Sequence, residues 1–255
     1  MNQLVLWNDL TLFWGSNPRA VSEHSHPAIQ LVIATQGSFL SKDESGKWME
    51  KSGLLIAPNY FHECNAENIH ILSIDIDPES ALGEWILNNQ LLEQRRIDYP
   101  SGFMATIDFE EISNKLDNGK WKELREMIEN SFFFQPAALT SQKDERIEKI
   151  IDFIKSNIDK RIETSTLMDV AYLSESRLLH LFKEKMGLPI RNYILWYRLK
   201  TVIEQILIGS SLTEAAYHAG FSDQAHMTRT CVKMIGIPPS QIVKNSKFVQ
   251  VSVLE

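Results

Sequence analysis

His24 and His26 stand in the stretch HSHPAIQ, two residues apart in a segment that reads as extended. Residues i and i+2 of an extended chain project to the same side. Two imidazoles facing one way suit metal ligation or hydrogen bonding to a polar ligand. A second set of capable residues lies near the C-terminus. Across Arg177–Met186 and the two residues before it, the spacing turns Leu178, Leu181 and Phe182 inward and leaves Glu175, Ser176, Arg177, His180 and Lys183 outward. Within Gln224–Ile235, Met227 and Cys231 take the inward places and Gln224, His226, Arg229 and Lys233 the outward ones. Arg, Gln, Ser and His reach base edges and phosphates. The chemistry implied there is recognition of double-stranded DNA rather than bond making.

The elements that hold these residues change type along the chain. Up to about residue 78 the sequence reads as short strands. Ile29–Ala34, Leu54–Ala57 and Ile69–Ile76 are rich in β-branched residues. Gln36-Gly37, Ser45-Gly46 and Ser52-Gly53 supply turn signals between them. Such closely spaced strands predict an antiparallel barrel or sandwich. After Asp77-Pro78 the period becomes helical. Leu82, Trp85 and Ile86 form one stripe, and Trp121, Leu124, Ile128 and Phe132 another. Each stripe must be covered, either by the strands or by a second subunit. Gln135–Asp144 has Pro136 and small and polar residues without period, the pattern of an interdomain linker.

Everything beyond the linker reads as helix, beginning with Ile147, Ile150, Ile151 and Ile154 on one face. Thr164–Asn245 contains one device twice. Leu167–Leu173 is a short apolar helix, Ser174 a candidate N-cap, and Arg177–Met186 a second helix stopped by Gly187. Leu212–Ala219, a turn at Gly220, the candidate cap Asp223 and Gln224–Ile235 stopped by Gly236 repeat the pattern. Helix, tight turn and capped helix is the helix-turn-helix arrangement. Ile190–Ile208 joins the copies as one helix of about 19 residues, roughly 28 Å. That is close to the turn of about 34 Å separating successive major grooves.

Charge follows the same division. The net charge of −7 is uneven: from Asp144 onward there are 15 Lys and Arg against 13 Asp and Glu, and before it 11 against 20. No apolar run reaches the roughly 20 residues of a membrane span. The N-terminus, MNQLVLWNDL, lacks the pattern of a secretory signal. Cys64 and Cys231 fit neither a CxxC nor a zinc spacing, which suits buried thiols in a reducing compartment. A cytoplasmic protein is the expectation.

The stretch SLTEAAYHAGFSDQAHMTRTCVKMIGIPPSQI, Ser211–Ile242, resembles the signature of the AraC family of transcription regulators through Ala216, Gly220, Phe221, Asp223, His226, Arg229, Gly236, Pro238 and Pro239. The first copy resembles it through Leu167, Ser174, Ser176, Leu178, Phe182, Lys183, Gly187, Tyr193 and Arg198. It departs at Met168, at Tyr172 near the usual turn glycine, at His180 in place of Arg, and at Cys231-Val232 in place of Phe-Lys. The last two departures remove phosphate-binding cations.

The N-terminal histidines resemble the first motif of cupin barrels, and Gly53–His62 the second, which adds His62 to the set. The resemblance places Gln30 where an acidic ligand is usual. His24, His26, Gln30 and His62 are therefore expected to line a small-effector site with no metal and no cofactor. The fold class implied is α+β. Residues 1–78 form a cupin-like antiparallel β-barrel and 79–134 a helical dimerisation segment. A linker at 135–144 precedes an all-α domain with two helix-turn-helix motifs at 145–248. The function implied is sequence-specific transcription regulation, activation being the family's usual mode. The partners implied are operator DNA, a small effector, a second copy of the chain and RNA polymerase, with no membrane. A cupin metalloenzyme or metal sensor tethered to DNA is the alternative, disfavoured by Gln30.

Overall fold

The computed structural model describes residues 2–99, 107–132, 135, 144–244 and 246–250. It divides into one unit of Met1–Leu139 with Asn245–Glu255, and another of Thr140–Lys244. No helix among the described residues is long and apolar enough to cross a membrane.

The first unit is built on two sheets. Strands β1 (Asn2–Leu6), β2 (Leu10–Ser16), β4 (Ile29–Ala34), β7 (Gly53–Ile56), β9 (His70–Ile76), β10 (Arg96–Tyr99) and β11 (Ser246–Gln250) form the larger, in the order β10-β7-β4-β9-β2-β1-β11. Strands β3 (Val21–His24), β5 (Phe39–Lys42), β6 (Trp48–Lys51) and β8 (His62–Asn65) form the smaller, in the order β3-β8-β5-β6. All pairings are antiparallel except β1 with β11. Ser52-Gly53 does not close a hairpin, because Gly53 already pairs with Ile33 and with Tyr99. The chain there leaves the smaller sheet at Lys51 and enters the larger one.

The continuous apolar runs of β4 and β7 follow from burial on both faces. Ile29, Leu31, Ile33 and Leu55 belong to a core shared with the helices. Val32, Ala34, Leu54 and Ile56 pack with Phe39, Cys64 and Ala66 of the smaller sheet. By the same alternation Gln30 lies on the face toward the smaller sheet.

Helices α1 (Ala81–Ile86, continued by a π-turn through Leu91), α2 (Phe109–Asp117) and α3 (Trp121–Ser131) cover the other face. Leu82, Ile86, Leu124, Ile128 and Phe132 are at most 4% exposed within one protomer. Both stripes are therefore buried within one protomer, and their half-buried flanks include Trp85, Leu87, Trp121 and Met127. Arg125 of α3 fixes the layer by a bidentate ion pair to Asp9 at 2.7 and 3.0 Å. Residues 79–134 are not wholly helical: Arg96, Ile97, Asp98 and Tyr99 form β10 against β7. Ile97 and Tyr99, two residues apart, pack on the core and make that a strand period.

The second unit is helical throughout: α4 (Glu145–Ser156), α5 (Thr164–Ala171), α6 (Glu175–Met186), α7 (Ile190–Leu207), α8 (Leu212–His218), α9 (Gln224–Ile235) and α10 (Pro239–Lys244). Ile147, Ile150, Ile151 and Ile154 are buried as their period requires. Of the linker at 135–144, residues 136–143 lie outside the described residues. The C-terminal boundary expected at 248 is corrected to Lys244, because Ser246–Gln250 pairs in register with Asn2–Leu6.

β11 satisfies backbone groups on the outer edge of β1, which would otherwise be an open template for another strand. Deleting residues 245–255 should lower the melting midpoint of the first unit and promote self-association, read by light scattering. An unchanged monomer of equal stability would show that β1 needs no partner strand.

Candidate nucleic-acid interface and a buried histidine cluster

The two helix-turn-helix copies are built with different turns. In the second, Ser211 and Glu214 form a capping box at the start of α8. Gly220 then turns the chain at φ +73°, and a Cβ there would lie 2.7 Å from the Ile158 carbonyl oxygen. Asp223 caps α9 by accepting from the His226 amide at 2.7 Å. In the first copy Tyr172 takes the left-handed conformation at φ 53°, with its side chain 90% exposed. Ser174 has the extended backbone of an N-cap but makes no side-chain capping bond. Gly187 and Gly236 end α6 and α9 in left-handed geometry.

Packing fixes which face each second helix presents. Leu178, Leu181 and Phe182 are 2% exposed or less, and Phe182 stacks edge-on against Tyr193 of α7 with centroids 5.4 Å apart. Glu175, Ser176, Arg177, His180 and Lys183 are exposed, and His180 lies 3.5 Å from Glu184. On α9, Met227, Cys231 and Met234 are buried, whereas Gln224, Arg229 and Lys233 are exposed. His226 is only half-buried: its ring packs edge-on against Phe221 at 5.3 Å and its Nδ1 lies 3.2 Å from Ser222 Oγ.

Two supporting residues were not readable as such in the sequence. Thr213 donates its hydroxyl to Gln224 Oε1 at 2.8 Å, bridging α8 to the first residue of α9. No periodic pattern links positions eleven apart. Arg198, matched only by resemblance, donates to the carbonyls of Ile158 and Lys160 at 3.3 and 2.8 Å. It holds the segment that Gly220 approaches and is a positioning residue.

Residues 167–245 match the family model of a helix-turn-helix domain. The C-terminal unit is an AraC-type DNA-binding domain. A search of characterised proteins finds "Probable transcriptional regulator LumQ" of Photobacterium leiognathi, 24% identical over 244 residues, 86% of this chain and 90% of that protein. The transcriptional regulatory protein HptR of Staphylococcus aureus is 26% identical over 114 residues, 45% of either chain. Among solved structures, ToxT of Vibrio cholerae with an unsaturated fatty acid bound superposes with a TM-score of 0.61 at 15% identity, covering 93% of this chain and 95% of that one. An apo form of a ToxT point variant gives 0.58 at 13% identity, covering 93% of this chain and 97% of that one. These likenesses extend the shared fold to the N-terminal sheets.

In that N-terminal unit, His24, His26 and His62 meet between β3, the start of β4 and β8. Each is 4% exposed, and a ring nitrogen of each lies within 4.8 Å of the others'. Their Nδ1 atoms contact the carbonyl oxygens of Ser22 (2.8 Å), Ala28 (3.1 Å) and Tyr60 (2.9 Å) respectively. Burial lowers all three pKa values: His62 falls to about 3 and His26 well below the usual value, each lowered further by neighbouring imidazoles. The rings are therefore neutral. Gln30 hydrogen-bonds to His26 and donates to Asp75 Oδ1 at 3.0 Å. Both thiols are buried too, and burial pushes Cys231 up to about 12.

Arg177 and Gln224 stand at the starts of α6 and α9, where helices meet base edges. Replacing either with Ala should cost about 1–3 kcal/mol on the preferred DNA site and relax preference at a few base pairs. Unchanged affinity and preference in both variants would remove these helices from the groove. The turns give a second expectation. Gly220→Val should destabilise the domain by about 2–3 kcal/mol, and Tyr172→Gly should stabilise it by about 1 kcal/mol through relief of left-handed strain. Thermal melts that ranked the two variants the other way would refute this account of the turns.

Proposed function

We propose that this protein is a transcription regulator whose two recognition helices read successive major grooves and whose N-terminal unit receives a ligand. The observation that carries the first half is the duplicated helix-turn-helix with a polar outer face on both α6 and α9. The α7 helix that joins them has 18 residues, a span of about 27 Å against the roughly 34 Å of a DNA turn. One chain then reads a non-palindromic site, and a homodimer reads two such sites. Exposed Arg177, Lys183, Arg229 and Lys233 supply phosphate and base contacts. His180 and Val232 supply less charge than Arg and Lys would, which weakens the affinity that depends on counterion release.

The second half rests on the shape of the N-terminal unit and on the constellation of His24, His26, Gln30 and His62. ToxT, which shares the fold, has been crystallised with an unsaturated fatty acid and with a naphthalenyl butenoic acid. A unit of the same fold serves here as the receiver of the signal rather than as a catalyst. Ligand can change DNA binding only by its differential affinity for two states of the chain. Activation through RNA polymerase is the mode we assign, in a cytoplasmic setting.

Selection of bound sequences from random duplexes, followed by footprinting, tests the reading. The expected result is one asymmetric site per protomer with two protected major-groove segments about one turn apart. Enrichment of no sequence at moderate salt would overturn it.

A further inference from the structure

The side chain that opens α9 is held by a partner before any DNA arrives. Thr213, on α8, donates its hydroxyl to Gln224 Oε1 at 2.8 Å, and both residues are exposed. A carboxamide carries its acceptor and its donors at opposite corners of one plane. With the oxygen drawn toward α8, the Nε2 amino group is the free end, and it makes no hydrogen bond among the described residues. The neighbouring polar groups do not compete for it. Ser222 donates to Asp223 Oδ2 at 3.0 Å, Asp223 Oδ1 accepts from the His226 amide at 2.7 Å, and the His226 ring lies against Ser222. The device belongs to the second copy alone. The 49 residues from Gly187 to Gly236 put Thr164 and Glu175 in the places of Thr213 and Gln224. No hydrogen bond joins that pair among the described residues.

Bases differ in what they offer such a group in the major groove. Adenine is read by a glutamine that gives Nε2–H to N7 and accepts N6–H on Oε1. That contact uses both ends of the carboxamide at once, and Thr213 already holds one of them. Guanine offers N7 and O6, two acceptors and no donor, so the amino group alone can read it. Turned to adenine, the same amino group meets the N6 amino group, donor against donor. A donor left unpaired in a desolvated interface is costly. Holding the side chain in the free protein also removes part of the ordering cost of binding. We infer that Thr213 is a specificity-determining residue, which sets Gln224 to read guanine rather than adenine at the base pair under the start of α9.

The choice of base rests on α9 entering the groove as proposed above, and Thr213 acts through Gln224 as a positioning residue. The first copy supplies the contrast. Glu175 stands first in α6, and a carboxylate there has only acceptors, which suit the N4 amino group of cytosine. The two helices then begin with groups of opposite hydrogen-bonding sense, so the two halves of one site differ in sequence.

The test uses the full chain and the duplex selected for it. Four duplexes that differ only at the base pair whose preference Gln224→Ala abolishes are titrated at one fixed salt concentration. The wild type is expected to bind the guanine duplex about 5- to 10-fold more tightly than the adenine duplex, the scale of one base-reading contact. Thr213→Val has the shape of threonine without its hydroxyl. Its ratio should fall to about one or below, because adenine can then engage Oε1. Thr213→Ser should keep the wild-type ratio, and preference under α6 should change in neither variant. A general loosening of the unit weakens all four duplexes alike, so the ratio separates specificity from stability. Thermal melts establish that each variant is folded, and Thr213→Ala takes the place of Thr213→Val should the latter not fold. A wild type that prefers adenine, or an unchanged ratio in folded Thr213→Val, would overturn the inference. So would a selected site at which Gln224→Ala alters no position, with the DNA-binding reading left standing. Enrichment of no sequence would overturn that reading and the inference with it.

Discussion

A central strand buried on both faces must be apolar at every position or must satisfy each polar group inside the protein, and β4 takes both courses. Ile29, Leu31 and Ile33 face the helices, and Val32 and Ala34 face the smaller sheet. Gln30 is the exception, and it is matched by the Asp75 carboxylate on the adjacent β9. With one polar pair admitted to the inter-sheet space, the neighbouring histidines can be polar as well, provided each Nδ1 finds a carbonyl. They do so locally, each within two residues of its own position. Local bonding to carbonyl oxygens fixes which nitrogen of each ring carries the proton. The site therefore follows from the way the sheet is covered rather than from any special loop.

The DNA-binding unit solves its own problem twice, with unequal economy. Its second copy uses a capping box, a glycine turn and an aspartate cap, each marked by a hydrogen bond or a close approach. Its first copy forces Tyr172 into left-handed geometry and begins α6 without a side-chain cap. Left-handed strain and a missing cap each cost on the order of 1 kcal/mol. The first copy is held instead by packing: Phe182, Tyr193 and Tyr197 stack in series, with Lys155 and Lys200 over the Tyr197 ring. The two helices α6 and α9 thus present similar polar faces on supports built in different ways.

What could be read from the sequence was whatever depends on short-range pattern. The α4 isoleucines, the glycines that end α6 and α9, the Asp223 cap and the whole of β4 are visible as periods and stop signals. Long-range pairing left weaker marks. β10 has four residues inside a stretch of helical spacing, and its strand character comes from β7 beside it. The same holds for β11, whose place is set by β1 at the opposite end of the chain. The stripes on α1 and α3 were legible as stripes, but their partner was not, because burial against strands and against a second subunit require the same residues. Likewise Gln30 was visible as a departure from an acidic ligand, while the carbonyl bonds that prepare the three imidazoles are backbone geometry and leave no trace in side-chain types.

β11 also bears on how a ligand could influence DNA binding. The helical unit is joined to the sheet unit at both of its ends, before Thr140 and after Lys244. A unit tethered twice samples fewer arrangements than one on a single linker, because the second connection closes a loop in the chain. Ordering entropy that a single linker would lose on binding DNA is then partly lost already in the free protein. A ligand that stiffens the sheet unit acts on the anchor points of both connections, whereas in a singly tethered chain it would act on one. The size of any such effect is bounded by the ligand's differential affinity for the two states.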